Sequence, residues 1–268
     1  MARYSMTPNQ KKFSSALSAA AKRGRAKVLS FADLEIPVEP LLTREEEFRS
    51  GRKIKVCLAR LSQLLPRHPA GYGRFLARMG EVTAGGGLMF SWLSLRERMA
   101  TDMSCATRAL ERAEAFALKR PAKAAQVLEE GVKVLLTYRL DHETLTQWSR
   151  DVLGVRTTGL LMKLDRFQRI ERLLRRVVET LEKERDRLVM PNFRLVLKEV
   201  FRYHPTGMKR SDLFQEEILG LQKAVYRYDA DRGIRFSTYA TYWIRQSIRK
   251  CLIDKSRMIR IPQAIQEE

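Results

Sequence analysis

The chain has few cysteines and few histidines, and it lacks a long apolar run. Its 268 residues include three of each. Cys57, Cys105 and Cys251 are odd in number and far apart, which argues against a disulfide framework and against a CxxC metal knuckle. No apolar stretch approaches the ~20 residues that a membrane span requires. We therefore expect a protein of a reducing cytoplasm, without membrane association, bound metal or cofactor.

The signatures of common enzymes are also missing. The sequence contains no HExxH, GxSxG or GxxxxGK[ST] motif, and its histidines are scattered. Most carboxylates alternate with arginine at helical spacing, which is typical of solvated ion pairs. A metal-dependent nuclease site made of Asp212, Asp229 and Asp231 is an alternative that no motif supports. We expect no enzymatic activity.

Acidic residues are outnumbered by basic ones. Lys and Arg number 51 against 31 Asp and Glu, which gives a formal net charge of +20. The first thirty residues contain seven Lys or Arg and no acidic residue. An excess of this size favours a polyanionic partner, nucleic acid first and an anionic membrane surface second. A solvated basic surface is the alternative that charge alone leaves open.

Hydrophobic spacing predicts an all-α protein. Apolar residues recur at three and four positions, as they do on the buried faces of packed helices. Thr43 is expected to cap a helix that ends near Pro66. The predicted segments are a basic flexible arm over 1–40, a helix and loop over 41–85, a helical insert over 86–180, a second helical domain over 181–262 and the start of a further region over 263–268.

Glycines and prolines divide the helical pattern. The segment Gly80–Gly87 predicts an internal loop, and Pro121 and Gly131 are expected to interrupt the helices that follow. A long amphipathic helix is predicted behind a Thr158 cap. Pro191 should kink or restart it, because proline lacks the amide that a helix needs.

Aromatic and cationic residues concentrate between Ile234 and Pro262. This stretch reads IRFSTYATYWIRQSIRKCLIDKSRMIRIP and predicts a helix from Tyr239, with Ser237 and Thr238 as caps. One face is spaced for burial and comprises Ile244, Ile248, Cys251 and Leu252.

The opposite face of this helix carries groups suited to unpaired bases. Tyr242, Gln246 and Arg249 recur at steps of four and three, and Arg245 and Lys250 flank them. Aromatic rings stack on bases, amides read base edges, and cations hold phosphates. The face is therefore a candidate surface for single-stranded DNA.

Two segments of this region resemble a known family. The run FSTYATYWIRQSIR, followed by DKSRMIRIP, closely resembles conserved region two of the sigma-70 family of bacterial RNA polymerase subunits, which recognise promoters. The preceding segment NFRLVLKEVFRYHPTGMKRSDLFQEEILGLQKAVYRYDADRG is similar to the earlier helices of that region. LLTREEEFRSGRKIK resembles a helix of region 1.2. The dense similarity runs from about Leu188 to Pro262.

The resemblance assigns the predicted segments to regions of the sigma-70 family. It implies that 41–85 is like region 1.2, that 86–180 is a non-conserved insert and that 181–262 is region 2. The last residues, 263–268, would begin region 3, and no helix-turn-helix for a minus thirty-five element follows. The chain is then either a truncated piece of a longer protein or a naturally short sigma, in which case a partner supplies the missing domain or the chain works without it.

The resemblance also implies how the aromatic residues act. Tyr239 would stack on a flipped adenine of the minus-ten element. Tyr242 and Trp243 would wedge against the upstream duplex edge, where the family usually has a tryptophan pair. The remaining pocket and strand-surface residues are Asn192, Leu195, Tyr228, Asp229, Arg232, Phe236, Ser237 and Thr238.

The cations of this segment are expected to bind phosphates and one base pair. Gln246 and Arg249 match the family's readers of the first base pair of the hexamer. Arg249 stands where threonine is common, so the preference should shift toward guanine, which accepts two bonds from a guanidinium. The other predicted DNA-binding cations are Arg235, Arg245, Lys250, Lys255, Arg257 and Arg260.

A second polar face is predicted on the helix that starts near Asp212. Asp212 is expected to cap this helix, with Gln215 in capping-box position. The resemblance implies that the face binds the coiled coil of the largest subunit of core RNA polymerase. Glu217 and Ile218 replace a usual Gly-Asn pair, and Gln222 replaces a usual Met. The predicted docking residues are Asp212, Gln215, Glu216, Leu219 and Gln222.

Two other functions remain open on the sequence. One is a sigma-like decoy or split-sigma subunit that docks on the polymerase without opening DNA by itself. The other is a single-stranded DNA binder without promoter preference. We expect neither of these but a transcription initiation factor that melts the minus-ten element and acts in the bacterial cytoplasm, at the nucleoid.

Overall fold

The computed structural model describes residues 27–31, 34–84, 93–138, 140–154, 160–203 and 210–255. These residues divide into two compact units. The first unit takes the chain up to Ile54 and from Lys183 onward, and the second comprises Lys55–Glu182. No helix in these described ranges is long and apolar enough to cross a membrane.

The predicted all-α class is confirmed. The helices are α1 (Arg44–Leu64), α2 (Pro69–Ala84), α3 (Leu93–Phe116), α4 (Pro121–Leu135), α5 (His142–Gly154), α6 (Asp165–Val189), α7 (Phe193–Arg202), α8 (Arg210–Arg227) and α9 (Phe236–Lys255). Short 3-10 turns, Leu65–Arg67, Leu160–Lys163, Met190–Asn192 and Ala230–Arg232, join or precede several of them.

One short hairpin departs from the helical pattern. Strands β1 (Lys27–Phe31) and β2 (Leu34–Val38) pair antiparallel, with Lys27 opposite Val38. Both strands are rich in β-branched and large apolar residues, which favour extended backbone. The hairpin falls within the segment that the sequence predicts as a flexible arm.

The first unit packs α7, α8 and α9 together. Ile244 and Ile248 of α9 are fully buried, as their spacing predicts. Gly220 of α8 lies against α9, since a Cβ at this position would lie 2.8 Å from the Ser247 Cβ. A glycine is therefore required for the two helices to approach this closely.

Local signals at the helix ends are mostly confirmed. Thr43 and Glu46 form a capping box at the start of α1, with the Thr43 amide 2.9 Å from the Glu46 carboxylate and the Glu46 amide 3.3 Å from Thr43 Oγ1. Pro121 occupies the first turn of α4. Pro191 lies in the 3-10 turn between α6 and α7, which is the predicted restart.

Two predicted breaks in the second unit need correction. Helix α2 continues to Ala84, so the predicted loop from Gly80 is wrong over its first five residues, and its remaining residues lie outside those described. Gly131 lies inside α4 rather than interrupting it, because a Cβ there would collide with the Tyr72 hydroxyl. Helix α6 begins at Asp165, and the proposed Thr158 cap lies outside the described residues.

Candidate nucleic-acid and polymerase-binding site

The turn between α8 and α9 is held by Tyr228. This side chain is buried, its hydroxyl donates to the Ile234 carbonyl at 2.8 Å, and its ring meets the Phe236 ring edge-to-face at 5.2 Å. Gly233 has a φ of 69°, the left-handed conformation that glycine adopts without strain. The turn is thus fixed before α9 begins.

A carboxylate from α1 caps α9. Glu47 is 4% exposed, and it accepts hydrogen bonds from the Phe236 amide at 3.2 Å and from Nε and Nη2 of Arg235, both at 2.9 Å. The predicted start at Tyr239 is therefore wrong, and α9 begins at Phe236. A distant acidic residue supplies the cap that Ser237 and Thr238 were expected to provide.

Four aromatic rings form a row along the turn and the first part of α9. Ring centroids are 5.9 Å apart for Tyr228 and Tyr239, 6.3 Å for Tyr239 and Trp243, and 5.8 Å for Trp243 and Tyr242. Tyr242 is 66% exposed, while Tyr239 and Trp243 are half-buried. We name these four residues the aromatic row. Tyr242, at one end of the row, is accessible to a base that enters from solvent.

Neighbouring groups fix the rings of the row. The Tyr239 hydroxyl donates to the Arg227 carbonyl at 3.2 Å. The Arg227 guanidinium lies 4.5 Å from the centre of the Trp243 ring, which is a cation–π distance. The inner rings are therefore held in place, and Tyr242 projects furthest into solvent.

Three residues assigned to the DNA surface lie in the interior instead. Phe236 is fully buried, and Tyr228 is 8% exposed. Asn192 is 5% exposed and its amide donates to the Leu188 carbonyl at 2.8 Å. These side chains support the surface from beneath, because Phe236 completes the apolar core and Asn192 satisfies a helix-end carbonyl.

An open groove of about 550 Å³ lies along the exposed side of α9. Sequence reasoning missed one lining residue, Thr241, whose Oγ1 donates to the Ser237 carbonyl at 2.7 Å. Its position three residues after Thr238 was the available signal. The groove is lined by Thr238, Thr241, Tyr242, Arg245, Gln246 and Arg249.

One cation of this groove is bound to a buried acid that the sequence interpretation missed. Glu199 of α7 is 2% exposed and accepts hydrogen bonds from Arg245 Nε at 2.9 Å and Arg202 Nη1 at 3.1 Å. The Glu199 hydrogen bond, followed by its charge, raises the pKa of Arg245 above the ordinary value. An acidic residue on the apolar face of α7 was the available signal.

The remaining predicted DNA-binding residues occupy varied positions. Arg232 is exposed and its Nε lies 3.7 Å from the Asp229 carboxylate. Lys250 is exposed on α9, whereas Leu195 of α7 and Ser237 are half-buried. Lys255 is the last residue of α9. Arg257 and Arg260 lie outside the described residues.

The predicted docking residues share one side of α8. Asp212 is exposed, and the half-buried residues of the same side are Gln215, Glu216, Leu219 and Gln222. The helix begins at Arg210, so Asp212 lies in the first turn and the predicted capping role is wrong. A carboxylate in the first turn still complements the helix dipole.

Glu217 and Ile218, which replace the usual Gly-Asn pair, lie on the buried side of α8. Glu217 is fully buried and Ile218 is 6% exposed, so neither side chain belongs to the exposed docking side. Among the described residues, the Glu217 carboxyl oxygens have no hydrogen-bond partner. Burial, followed by the charge of Glu216, raises the pKa of Glu217 to about 9. The carboxyl group is therefore protonated at neutral pH.

Comparison with known proteins finds similarity in the part of the chain that holds this site. Residues 188–258 match the family model for Sigma-70 region 2. The chain is 46% identical over 90 residues to "RNA polymerase sigma factor SigA" of Bacillus sp, covering 34% of this chain and 24% of that protein. It is 41% identical over 95 residues to "RNA polymerase principal sigma factor HrdD" of Streptomyces coelicolor, covering 35% and 29%. The chain spans about a quarter of the length of these relatives. The likeness to Sigma-70 region 2 therefore covers residues 188–258, the segment that contains α7, α8 and α9.

Proposed function

We propose that the protein is a transcription initiation factor that binds core RNA polymerase and captures the melted non-template strand of a promoter minus-ten element. The observation that carries this proposal is the aromatic row beside an open basic groove, within a segment that matches sigma-70 region 2. The protein itself performs no chemistry in this proposal, and it needs no cofactor. It acts in the bacterial cytoplasm, at the nucleoid.

Base capture explains how the protein opens DNA. Opening a TA-rich step costs a few kcal/mol, and holding the expelled base recovers that cost. Tyr239 is the stacking ring, which is supported by its hydrogen bond to the Arg227 carbonyl. Tyr242 and Trp243 lie nearly perpendicular at 87°, so one exposed edge meets the duplex while the inner ring stays fixed.

The groove on α9 accepts the upstream edge of the opened duplex. Gln246 and Arg249 are exposed, and both line the groove within one turn of each other. An amide pairs with adenine edges, and a guanidinium pairs with guanine through two bonds. We therefore assign the first base pair of the hexamer to these residues, with a preference for guanine at the base that Arg249 meets.

The exposed side of α8 is the polymerase-binding surface in this proposal. Its polar residues surround Leu219, as a polar rim surrounds an apolar anchor in many interfaces. Glu217 and Ile218 are buried, so these two departures from the family pattern do not change the exposed chemistry. The proposed target is the coiled coil of the largest polymerase subunit.

The experiment uses a duplex minus-ten element with 2-aminopurine at the flipped adenine. Mixing with core polymerase and the full chain should raise the fluorescence as the base leaves the stack. Tyr239→Ala should lower strand capture by about 1–3 kcal/mol. Phe116→Ala is the matched control, since it removes an aromatic ring that packs on Lys123 at 4.9 Å within the second unit.

Two outcomes would contradict the proposal. If the wild-type chain binds the polymerase but leaves the fluorescence unchanged, the chain is a docking protein that does not open DNA by itself. Adding a second polypeptide with a minus thirty-five-reading domain then tests whether a partner completes it. If matched and scrambled single strands bind equally, the chain is a general single-strand binder.

A further inference from the structure

The buried acid Glu199 occupies an unusual place for a charged group. The other buried side chains of α7 are Phe193, Val196, Leu197 and Val200, so the carboxylate emerges from an apolar face. A buried carboxylate is costly unless cations and hydrogen bonds compensate it. Here both oxygens are used, Oε2 by Arg245 and Oε1 by Arg202 and Arg245.

This arrangement changes the charge of the groove. Arg245 lines the groove, yet its Nε and Nη2 donate to Glu199 at 2.9 and 3.4 Å. Arg249 lies one turn further along α9 and is exposed. Arg245 forms an ion pair with Glu199, whereas no described acidic side chain forms an ion pair with Arg249. Among the described side chains, the groove therefore presents one guanidinium that is paired with a carboxylate and one that is not.

The two kinds of cation differ in what they contribute to DNA binding. A cation that neutralises a phosphate increases affinity for every sequence and carries no sequence information. A guanidinium or amide that meets a base edge distinguishes one base from another. Holding Arg245 on Glu199 lowers the first contribution and leaves Gln246 and Arg249 to supply the second.

We propose that Glu199 is a specificity-determining residue, which withholds Arg245 from phosphates and fixes it as a wall of the groove. This inference rests on the proposed function, because it requires that the groove bind promoter DNA. Glu199 acts through Arg245 and is a positioning residue that does not itself contact the DNA.

The test compares wild type and Glu199→Gln, as full chains bound to core polymerase. The probe is a forked duplex that carries either a TATAAT-type or a scrambled minus-ten sequence, over a series of salt concentrations. The variant should bind the scrambled probe more tightly. Its slope of log K against log salt should steepen by about 0.7 to 0.9, the value for one added phosphate contact. The ratio of affinities for the two probes should fall.

Two further variants keep the result interpretable. If Glu199→Gln does not fold, Glu199→Met replaces it, because methionine suits the apolar face of α7. This variant is expected to give the same steeper slope. Combining Glu199→Gln with Arg245→Gln should return the slope to the wild-type value, because the released groove cation is then absent and Arg202, the other partner of Glu199, does not line the groove. A purely structural role for Glu199 would not produce this return.

Glu171→Gln is the control for net charge. This acid pairs with Arg175 on the surface of α6 in the second unit, and its removal raises the net charge by the same amount. Equal slopes and equal probe ratios for wild type and Glu199→Gln would overturn the inference. A wild-type chain that does not distinguish the two probes would instead overturn the proposed function.

Discussion

The buried carboxyl of Glu217 makes the stability of the first unit depend on pH. The side chain is fully buried in α8, and no described group donates a hydrogen bond to it. Burial, with a smaller contribution from the charge of Glu216, raises its pKa from 4.5 to about 9. The helices that pack against α8 are α7 and α9, and their buried acid, Glu199, is already paired with Arg245.

Proton binding by Glu217 in the folded and unfolded states determines whether stability rises or falls with pH. Between pH 4.5 and 9 the folded state holds the Glu217 proton and the unfolded state releases it. The free energy of unfolding therefore decreases as pH rises. The stabilisation is complete below pH 4.5, the pKa in the unfolded state, and it is lost as the pH rises to about 9, the pKa in the folded state. The slope approaches 1.4 kcal/mol per pH unit, which gives about 4 kcal/mol between pH 5 and pH 8 as an upper bound.

Urea unfolding at pH 5, 6.5 and 8 measures this change. Glu217→Gln keeps the side-chain shape but does not titrate, so the difference between wild type and variant isolates the carboxyl group. The free energy of unfolding of Glu217→Gln should increase relative to that of the wild type at each step to higher pH. Glu45→Gln is the control for replacing a carboxyl group by an amide at a surface position, because this side chain is 84% exposed. Parallel curves for wild type and Glu217→Gln would refute the reasoning.

Four substitutions in α1, α2 and α8 test the packing and the polar surfaces of these helices. Gly51→Ala should destabilise the first unit, although alanine favours a helix by about 1 kcal/mol, because its Cβ would lie 2.9 Å from the Ala230 Cβ. Gly73→Ala should instead stabilise, since open space surrounds that position, and urea titration distinguishes the two. Glu47→Gln should cost about 1–3 kcal/mol of stability in a thermal melt, because it weakens charge-assisted bonds to α9. Asp212→Ala should weaken binding to core polymerase in an anisotropy titration, while unfolding changes by less than about 1 kcal/mol.

Signals that act within one turn of chain were predictable from the sequence. The capping box of Thr43 and Glu46 spans three residues, and Pro191 lies in the 3-10 turn directly after the helix that it ends. Most of the buried stripe of α9 also follows from spacing alone, since Ile244, Ile248 and Cys251 are buried, whereas the fourth predicted residue, Leu252, is half-buried. These features need no knowledge of the fold, because the groups involved are neighbours along the chain.

Features that depend on distant partners were not predictable in the same way. Helix α9 starts at Phe236 because of Glu47, which lies 189 residues away in the sequence. Gly131 stays inside a helix because the Tyr72 ring packs against it from another helix. Hydrophobic periodicity places a residue on a face of its own helix, but it does not identify the group opposite.

Two buried acids reduce the positive charge that is available at the predicted DNA surface. The sequence from Arg232 to Arg260 contains eight Lys or Arg, and counting them as phosphate contacts predicts a slope of about −6 for single-stranded DNA. Arg235 and Arg245 are bonded to Glu47 and Glu199, which are 4% and 2% exposed. The slope expected from the remaining cations is about −4. A slope near −6 for the isolated chain would mean that both arginines leave their carboxylates when DNA binds, and the cost of exposing two buried charges makes that unfavourable.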